Sequence, residues 1–331
     1  KEITESEVVL ADGSRVAAEL VIASIGVKPD TTLAKAAGIE IGVKGGIAVN
    51  AFNQSSNPDI YAIGDAAEKS DELTGESTLI PLANIANRHG RITADHIAGK
   101  SVREVASIGT AIVKVFDLAV ATTGWNAKRL AAAGKSFTEI HTHPNSHATY
   151  YPGASQFSLK LIFDPKSGEI FGAQGVGRDG VDKRIDVIAT ALRAGITAPA
   201  LADLELAYAP PFGSAKDPVN MLGYVAENVL SGVSKVAQWH EIDQYREKGY
   251  ELLDVRSEAE CGRGIIPGAI NIPVDEIRDR YKELTNKNLL VNCQVGLRGH
   301  TGSMLLKEFG FNAVNLDGGY LTWSNSPAAS K

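Results

Sequence analysis

The chain has 331 residues and a mass of 35.0 kDa, enough for two or three domains rather than one. Its 33 basic and 39 acidic residues leave a net charge of −6, which excludes a bulk positive field for nucleic acid, and no apolar run approaches the roughly 20 residues of a membrane-spanning helix. The two cysteines, Cys261 and Cys293, are too few for a disulfide scaffold or a four-thiolate zinc centre, and they suit a reducing cytoplasm.

The first segment predicts a hairpin: Glu7–Leu10, a turn at Asp12-Gly13, and a second strand from Arg15 to Ile22. Leu20-Val-Ile-Ala23 reads as a buried strand running into Gly26 and Pro29. That resembles an open α/β sheet entered in mid-fold, so the expectation is the C-terminal part of a longer polypeptide. The apolar run Asp59–Asp65 ends in Gly64-Asp65, as a buried parallel strand delivering an acid to its C-terminal edge would. Pro81–Ile97 then predicts a helix with Ile85, Ile92 and Ile97 on its apolar face and Asn84, Asn87, Arg88 and Arg91 on its polar face.

Residues 109–230 begin β-rich. Ala111–Phe116 and Phe157–Phe163 read as strands, Asp164–Gly168 as a turn and Glu169–Val176 as the returning strand. Val181–Ala194 is an amphipathic helix closed by Gly195, and Pro218–Leu230 predicts another. Gly175-Val-Gly177-Arg-Asp-Gly180 matches the dinucleotide fingerprint in spacing, with Asp203 downstream. No buried strand ends at that acid, as a βαβ unit requires, so a structural turn is favoured. His141, His143 and His147 could approach a metal. They lack an acid or cysteine beside them, so a solvated hairpin edge is the expectation.

A short connector, residues 231–236, precedes strands at Glu251–Val255, Asn288–Asn292 and Ala313–Leu316 alternating with helices. This is a small parallel α/β pattern. Its most informative stretch is Asn292-Cys293-Gln-Val-Gly-Leu-Arg298-Gly-His300. A strand ends at Cys293, a helix is expected near Thr301, and Gly296 and Gly299 permit a tight curl of backbone N–H groups around the sulfur. Those donors and the helix N-terminus favour a thiolate or a persulfide anion. Five intervening residues before the arginine would have suited a phosphate; this loop is one shorter, which favours a single sulfur atom. Cys261 lacks such a setting and reads as passive.

Residues 237–331 resemble a rhodanese domain. The resemblance rests on Leu252-Leu-Asp254-Val-Arg256, Ile266-Pro-Gly-Ala-Ile-Asn-Ile-Pro273, the Cys293–Arg298 loop and Leu316-Asp-Gly-Gly-Tyr-Leu-Thr-Trp323, in that order. The family usually has histidine where Ile266 stands. The resemblance implies sulfane sulfur carried as a persulfide on Cys293, with Arg298 as a catalytic partner and Gln294, Val295, Gly296 and Leu297 around the substrate.

Residues 1–230 resemble the C-terminal part of a pyridine nucleotide-disulfide oxidoreductase, in its coenzyme A-disulfide reductase and NADH oxidase branch. Ile60-Tyr-Ala-Ile-Gly64-Asp65 resembles the second flavin motif, and Pro81-Leu82-Ala83 the segment that meets the isoalloxazine ring. Tyr150-Tyr-Pro-Gly-Ala154 and Tyr208-Ala-Pro-Pro-Phe212 resemble dimerisation-domain segments, each of which brings a tyrosine to the partner subunit's flavin and substrate thiol. Tyr208 carries over directly; between Tyr150 and Tyr151 the assignment leans to Tyr150. His89 and Lys216 fall where the branch contacts coenzyme A, although a lone lysine on a loop is commonly just solvated.

The expected fold class is therefore mixed α/β and α+β. It comprises a remnant of a flavin-binding α/β domain over 1–108, an α+β dimerisation domain over 109–230, a linker over 231–236 and a small parallel-sheet rhodanese domain over 237–331. The expected parent is a cytoplasmic homodimer using FAD, NADH or NADPH, and coenzyme A. It would reduce coenzyme A disulfide, coenzyme A persulfide or polysulfide. Two alternatives stand beside this reading: an NADH oxidase with a sulfur-sensing rhodanese unit, and a non-catalytic dimerising scaffold carrying a sulfur-transfer domain.

Overall fold

In the computed structural model, which describes residues 1–103 and 105–330, the chain forms two units, Lys1–Ser107 and Ile108–Lys331. In the first, β1 (Glu2–Ile3), β2 (Glu7–Val9) and β3 (Arg15–Ala17) form an antiparallel meander. Its turn at Asp12 and Gly13 is pinned by the Asp12 Oδ1, which accepts from the Ser14 N–H at 2.9 Å. The expected buried strand at Leu20–Ala23 is absent. No ladder partner lies beside it among the described residues, and Leu20 and Ile22 are 78% and 80% exposed. A short helix, α1 (Thr32–Ala36), follows.

Asp59–Asp65 is not the expected buried strand either. It makes one bridge, Tyr61 to Gln54, and ends in a 3-10 turn over Gly64–Ala66. After the two-residue strands β4 (Lys69–Ser70) and β5 (Ser77–Thr78), α2 runs over Ala83–Ile97. It starts later than predicted because Leu82 is still extended. Its buried face is Ile85, His89 and Thr93, whereas Ile97 is exposed. Asn53 selects that face: its Nδ2 donates to the His89 carbonyl at 3.2 Å and to the Thr93 hydroxyl at 3.1 Å.

The second unit contains two five-stranded sheets. In the first, β6 (Ala111–Val115), β7 (Leu118–Gly124), β8 (Thr138–Thr142), β9 (Phe157–Phe163) and β10 (Ile170–Gly177) pair antiparallel in the order β6-β7-β10-β9-β8, with α3 (Ala127–Ala132) between β7 and β8. Alternating burial along β9 and β10 presents an apolar face, and α4 (Val181–Ala194) lays Val181, Ile185, Ile188 and Leu192 on the sheet. Helix α5 spans Pro218–Leu230, with Asp217 as its N-cap and proline at the first turn, where the missing N–H is no loss.

The second sheet takes the order β11 (Val236–Ala237), β15 (Asn312–Leu316), β14 (Asn288–Asn292), β12 (Glu251–Asp254), β13 (Ile270–Asn271), all parallel. Helices α6 (Ile242–Glu247), α7 (Glu258–Cys261), α8 (Ile277–Arg280), α9 (Leu297–Glu308) and α10 (Gly319–Ser324) connect or follow its strands. Both faces are covered, as a parallel sheet requires. Leu253, Val291, Ala313 and Leu306 fill one side, and Leu252, Leu290, Val314 and Ile266 the other. Helix α9 begins at Leu297, not near Thr301, so the loop after Cys293 is tighter than the sequence implies.

Candidate functional site

Strand β14 is central in its sheet and delivers Cys293 to its C-terminal edge, where a parallel α/β fold places ligands. The sulfur lies at the floor of the loop, fully buried. The Gly296 N–H donates to Sγ at 3.2 Å. Gly296 adopts φ +98°, a conformation open to glycine, and from there the chain enters α9. A donor aimed at the sulfur and a twelve-residue helix starting beside it make an environment for an anion at this point.

Two buried or half-buried ion pairs brace the loop. Arg256 stacks over the Tyr320 ring at 4.0 Å, pairs with Asp254 at 2.7 Å and donates to the Gln294 Oε1 at 3.1 Å. Asn292 closes the set by donating to Asp254 at 2.9 Å. Arg298 points both terminal nitrogens at Glu260, at 2.8 and 2.6 Å. The Arg298 hydrogen bonds hold the Glu260 carboxyl at about 2, far below its usual range. Glu260, Asp254, Arg256 and Tyr320 did not enter the sequence-derived site. Ser257-Glu-Ala-Glu260 is a capping-box pattern that could have flagged the acid. Cys261 is half-buried, and burial pushes its thiol up to about 11, so it stays protonated at neutral pH. Ile266 is packed in the sheet's core.

Val295, Gly296 and Leu297 also line a cavity of about 400 Å³ shared with His141, His143 and Lys216 from the antiparallel-sheet part of the unit. The histidines are not a solvated edge: His143 and His147 are buried and His141 nearly so. Protein groups meet Nδ1 of His141 and both ring nitrogens of His143 and His147. His141 meets Asp317, His143 meets Ser158 and Thr322, and His147 meets Ser146 and the Pro152 carbonyl. Burial holds the His143 imidazole down at about 4, with the charge of His141 acting in the same direction.

Tyr150 and Tyr208 come together, hydroxyl to hydroxyl at 3.1 Å, and the Tyr150 hydrogen bond raises the Tyr208 phenol above its ordinary value. Tyr150, Tyr151 and Tyr208 are all exposed, and the Tyr151 ring meets His147 edge to face. Lys216 is exposed and sits over the Tyr224 ring at 5.1 Å. The glycines of the dinucleotide-like spacing are packing glycines. A side chain at Gly175 would strike Val181, one at Gly177 would strike Phe157, and one at Gly180 would strike Arg184.

In the first unit, Asp65 is exposed on its 3-10 turn, and Pro81 and Ala83 are exposed at the start of α2, whose N-cap, Leu82, supplies no side-chain bond. An exposed carboxylate and the N-terminus of a helix fit the hydroxylated chain and ring carbonyl of a flavin. Those residues would meet only that end of the molecule. His89 is buried in a polar cavity of about 330 Å³ with Asn53, Glu68 and Lys69. Burial, then the Lys69 and Arg88 charges, lowers its imidazole to about 4.

Comparison with known proteins identifies the domains that carry these residues. Residues 1–90 match the family described as pyridine nucleotide-disulphide oxidoreductase, residues 110–218 its dimerisation domain, and residues 238–326 the rhodanese-like domain. A solved structure described as reduced CoADR-RHD from Bacillus anthracis is 49% identical, with a TM-score of 0.89 over 96% of this chain and 58% of its own. A NAD-dependent persulfide reductase from A. fulgidus is 38% identical, with a TM-score of 0.87 over the same 96% and 58%. The NAD(P)H sulfur oxidoreductase (CoA-dependent) of Pyrococcus furiosus is 36% identical over 66% of this chain and 49% of its own. The chain thus spans about half the length of the curated relatives it matches. It belongs to the pyridine nucleotide-disulphide oxidoreductase family across residues 1–90 and 110–218, and carries a rhodanese-like domain at residues 238–326.

Proposed function

We propose that Cys293 accepts sulfane sulfur as a persulfide, within a protein that uses NADH or NADPH to reduce coenzyme A disulfide, coenzyme A persulfide or polysulfide. The observation that carries the reading is the Cys293 sulfur on the floor of a loop, receiving the Gly296 N–H ahead of α9. The Cys293 thiolate attacks the outer sulfur of R–S–SH, a new S–S bond forms at Sγ, and the donor S–S bond breaks with its electron pair leaving on R–S⁻. Attack of a second thiolate on that outer sulfur would return the Cys293 thiolate, and two electrons supplied by NADH or NADPH would then release the sulfur as HS⁻.

FAD, when bound, supplies the two-electron relay between nicotinamide and sulfur. In this chain Asp65 and Gly64 would hold its ribityl end and Pro81, Leu82 and Ala83 would border its ring. The Tyr150–Tyr208 hydroxyl pair would hold a proton for the departing thiolate. Lys216 offers an exposed cation for a phosphate of coenzyme A. His89, buried and neutral, supports a substrate only through a polar cavity wall. The dimerisation-domain match supports a homodimer, and two unpaired cysteines suit a reducing cytoplasm.

The test is intact and peptide mass after exposure to a persulfide donor. The mass of one extra sulfur, mapped to Cys293, removed by dithiothreitol and missing from Cys293→Ser, is expected. Sulfur that loads Cys293→Ser equally well would sink the reading. In the full-length protein, Cys293→Ser should slow NADH-driven persulfide reduction, and an unchanged rate would remove Cys293 from the route.

A further inference from the structure

Strand β8 is the outer strand of its sheet, so one edge of its backbone must find partners elsewhere. The rhodanese-like domain supplies them. Gln238 donates from Nε2 to the Glu139 carbonyl at 2.8 Å, and the His141 N–H donates to the Asp317 Oδ1 at 3.1 Å. The His141 ring adds a second bond, from Nδ1 to Oδ2 of the same carboxylate at 2.6 Å. The side chains of Asp317 and His141 are 3% and 15% exposed, so one residue satisfies both oxygens of an acid that water scarcely reaches.

Asp317 opens the turn that walls the sulfur loop. The Tyr320 N–H donates to the Cys293 carbonyl at 2.7 Å, and the Leu321 N–H to the Gln294 carbonyl at 2.9 Å. The approach is closed to side chains: a Cβ at Gly319 would collide with the Cys293 carbonyl. On the other side, a Cβ at Gly318 would lie 2.9 Å from the His141 Cβ. His141, the Gly318-Gly319 turn and the Cys293 loop are therefore stacked without slack. A second tie runs from the His143 Nε2 to the Thr322 hydroxyl at 2.7 Å.

We infer that His141 is a positioning residue for the Cys293 loop: by saturating Asp317 it presses the Gly318–Leu321 turn onto the carbonyl groups of Cys293 and Gln294. The edge strand of the dimerisation domain thereby sets the geometry in which the sulfur reacts, a role that rests on Cys293 being the reactive sulfur. Without the ring, Oδ2 is a buried, unpaired charge, and its relief is rotation of Asp317 towards water, which carries the turn away from the loop.

Amide hydrogen exchange on the full chain tests this directly. In His141→Ala, the Tyr320 and Leu321 amides should exchange about tenfold faster, and persulfide loading from glutathione persulfide should slow by a similar factor. His141→Asn, whose Nδ2 can replace the ring Nδ1 as donor, should restore both to within about threefold. Wild-type exchange at these amides in His141→Ala, or no rescue by His141→Asn, would overturn the inference. If His141→Ala does not fold, Asp317→Ala, which removes the acceptor of both bonds, takes its place, with the same acceleration expected and a wild-type rate again fatal. Failure of the sulfur-carrier reading looks different: the wild-type chain would load no sulfur while the exchange effect remained.

Discussion

Arg298 stands close to Cys293 in sequence and gives its hydrogen bonds to a residue on another helix. The rhodanese resemblance implied a catalytic partner for Cys293 at this position, and both terminal nitrogens of the side chain are hydrogen-bonded to Glu260. The pair neutralises the arginine and ties α9 to α7. Replacing Glu260 by Gln should cost about 1 kcal/mol of stability near neutral pH, read by urea unfolding. The sign with pH is fixed by the depressed carboxyl, about 2 in the fold against 4.5 ordinarily. The advantage of the native chain over Glu260→Gln should be complete above pH 4.5 and fade as pH falls towards 2. A gap that stays constant across that window would refute the assignment.

At the scale of elements, buried charge and a buried imidazole hold loops in place. Arg184 on α4, nearly inaccessible, reaches Asp217 at 3.0 Å and the Ser146 carbonyl at 3.0 Å, joining the cap of α5 to the loop that leads to Tyr150. The Ala148 N–H closes the arrangement on the Gly213 carbonyl at 2.9 Å. Removing one partner strands the other charge, so Arg184→Met should cost about 3–5 kcal/mol in chemical denaturation. It should also loosen the Tyr150–Tyr208 contact. His143 gives a pH signature: its imidazole is lowered to about 4 from 6.5, so the unfolded chain takes up the proton first. Stability should therefore fall as pH drops from 6.5 towards 4, and that part of the slope should be missing from His143→Gln. Equal slopes for both proteins would remove His143 from the effect.

Across the whole molecule, apolar burial is uneven. Among the described residues, the buried apolar side chains of the first unit are Val9, Ile39, Ala67, Ile80 and Ile85, while the second unit holds two sheets with continuous cores. Backbone amides of residues 1–107 should therefore exchange at lower denaturant than those of β9, β10, β12 and β14, by hydrogen-exchange mass spectrometry. Uniform protection would contradict this. The same contrast explains what could be read in advance. Helices α4 and α5 and strands β9 and β14 were legible because their periodicity matches the face they bury, and the Cys293 loop because its glycines and arginine stand close together in sequence. Leu20–Ala23 and Asp59–Asp65 were misread because an apolar run states a need for burial but not whether a partner is present to meet it. By itself, the sequence determined the order of domains, the loop that surrounds Cys293 and most regular elements, since these depend on local pattern and short spacing. Only the tertiary structure decided that Arg298 faces Glu260 and that His141 grips Asp317, because partners separated by 38 and 176 residues are chosen by how the elements pack.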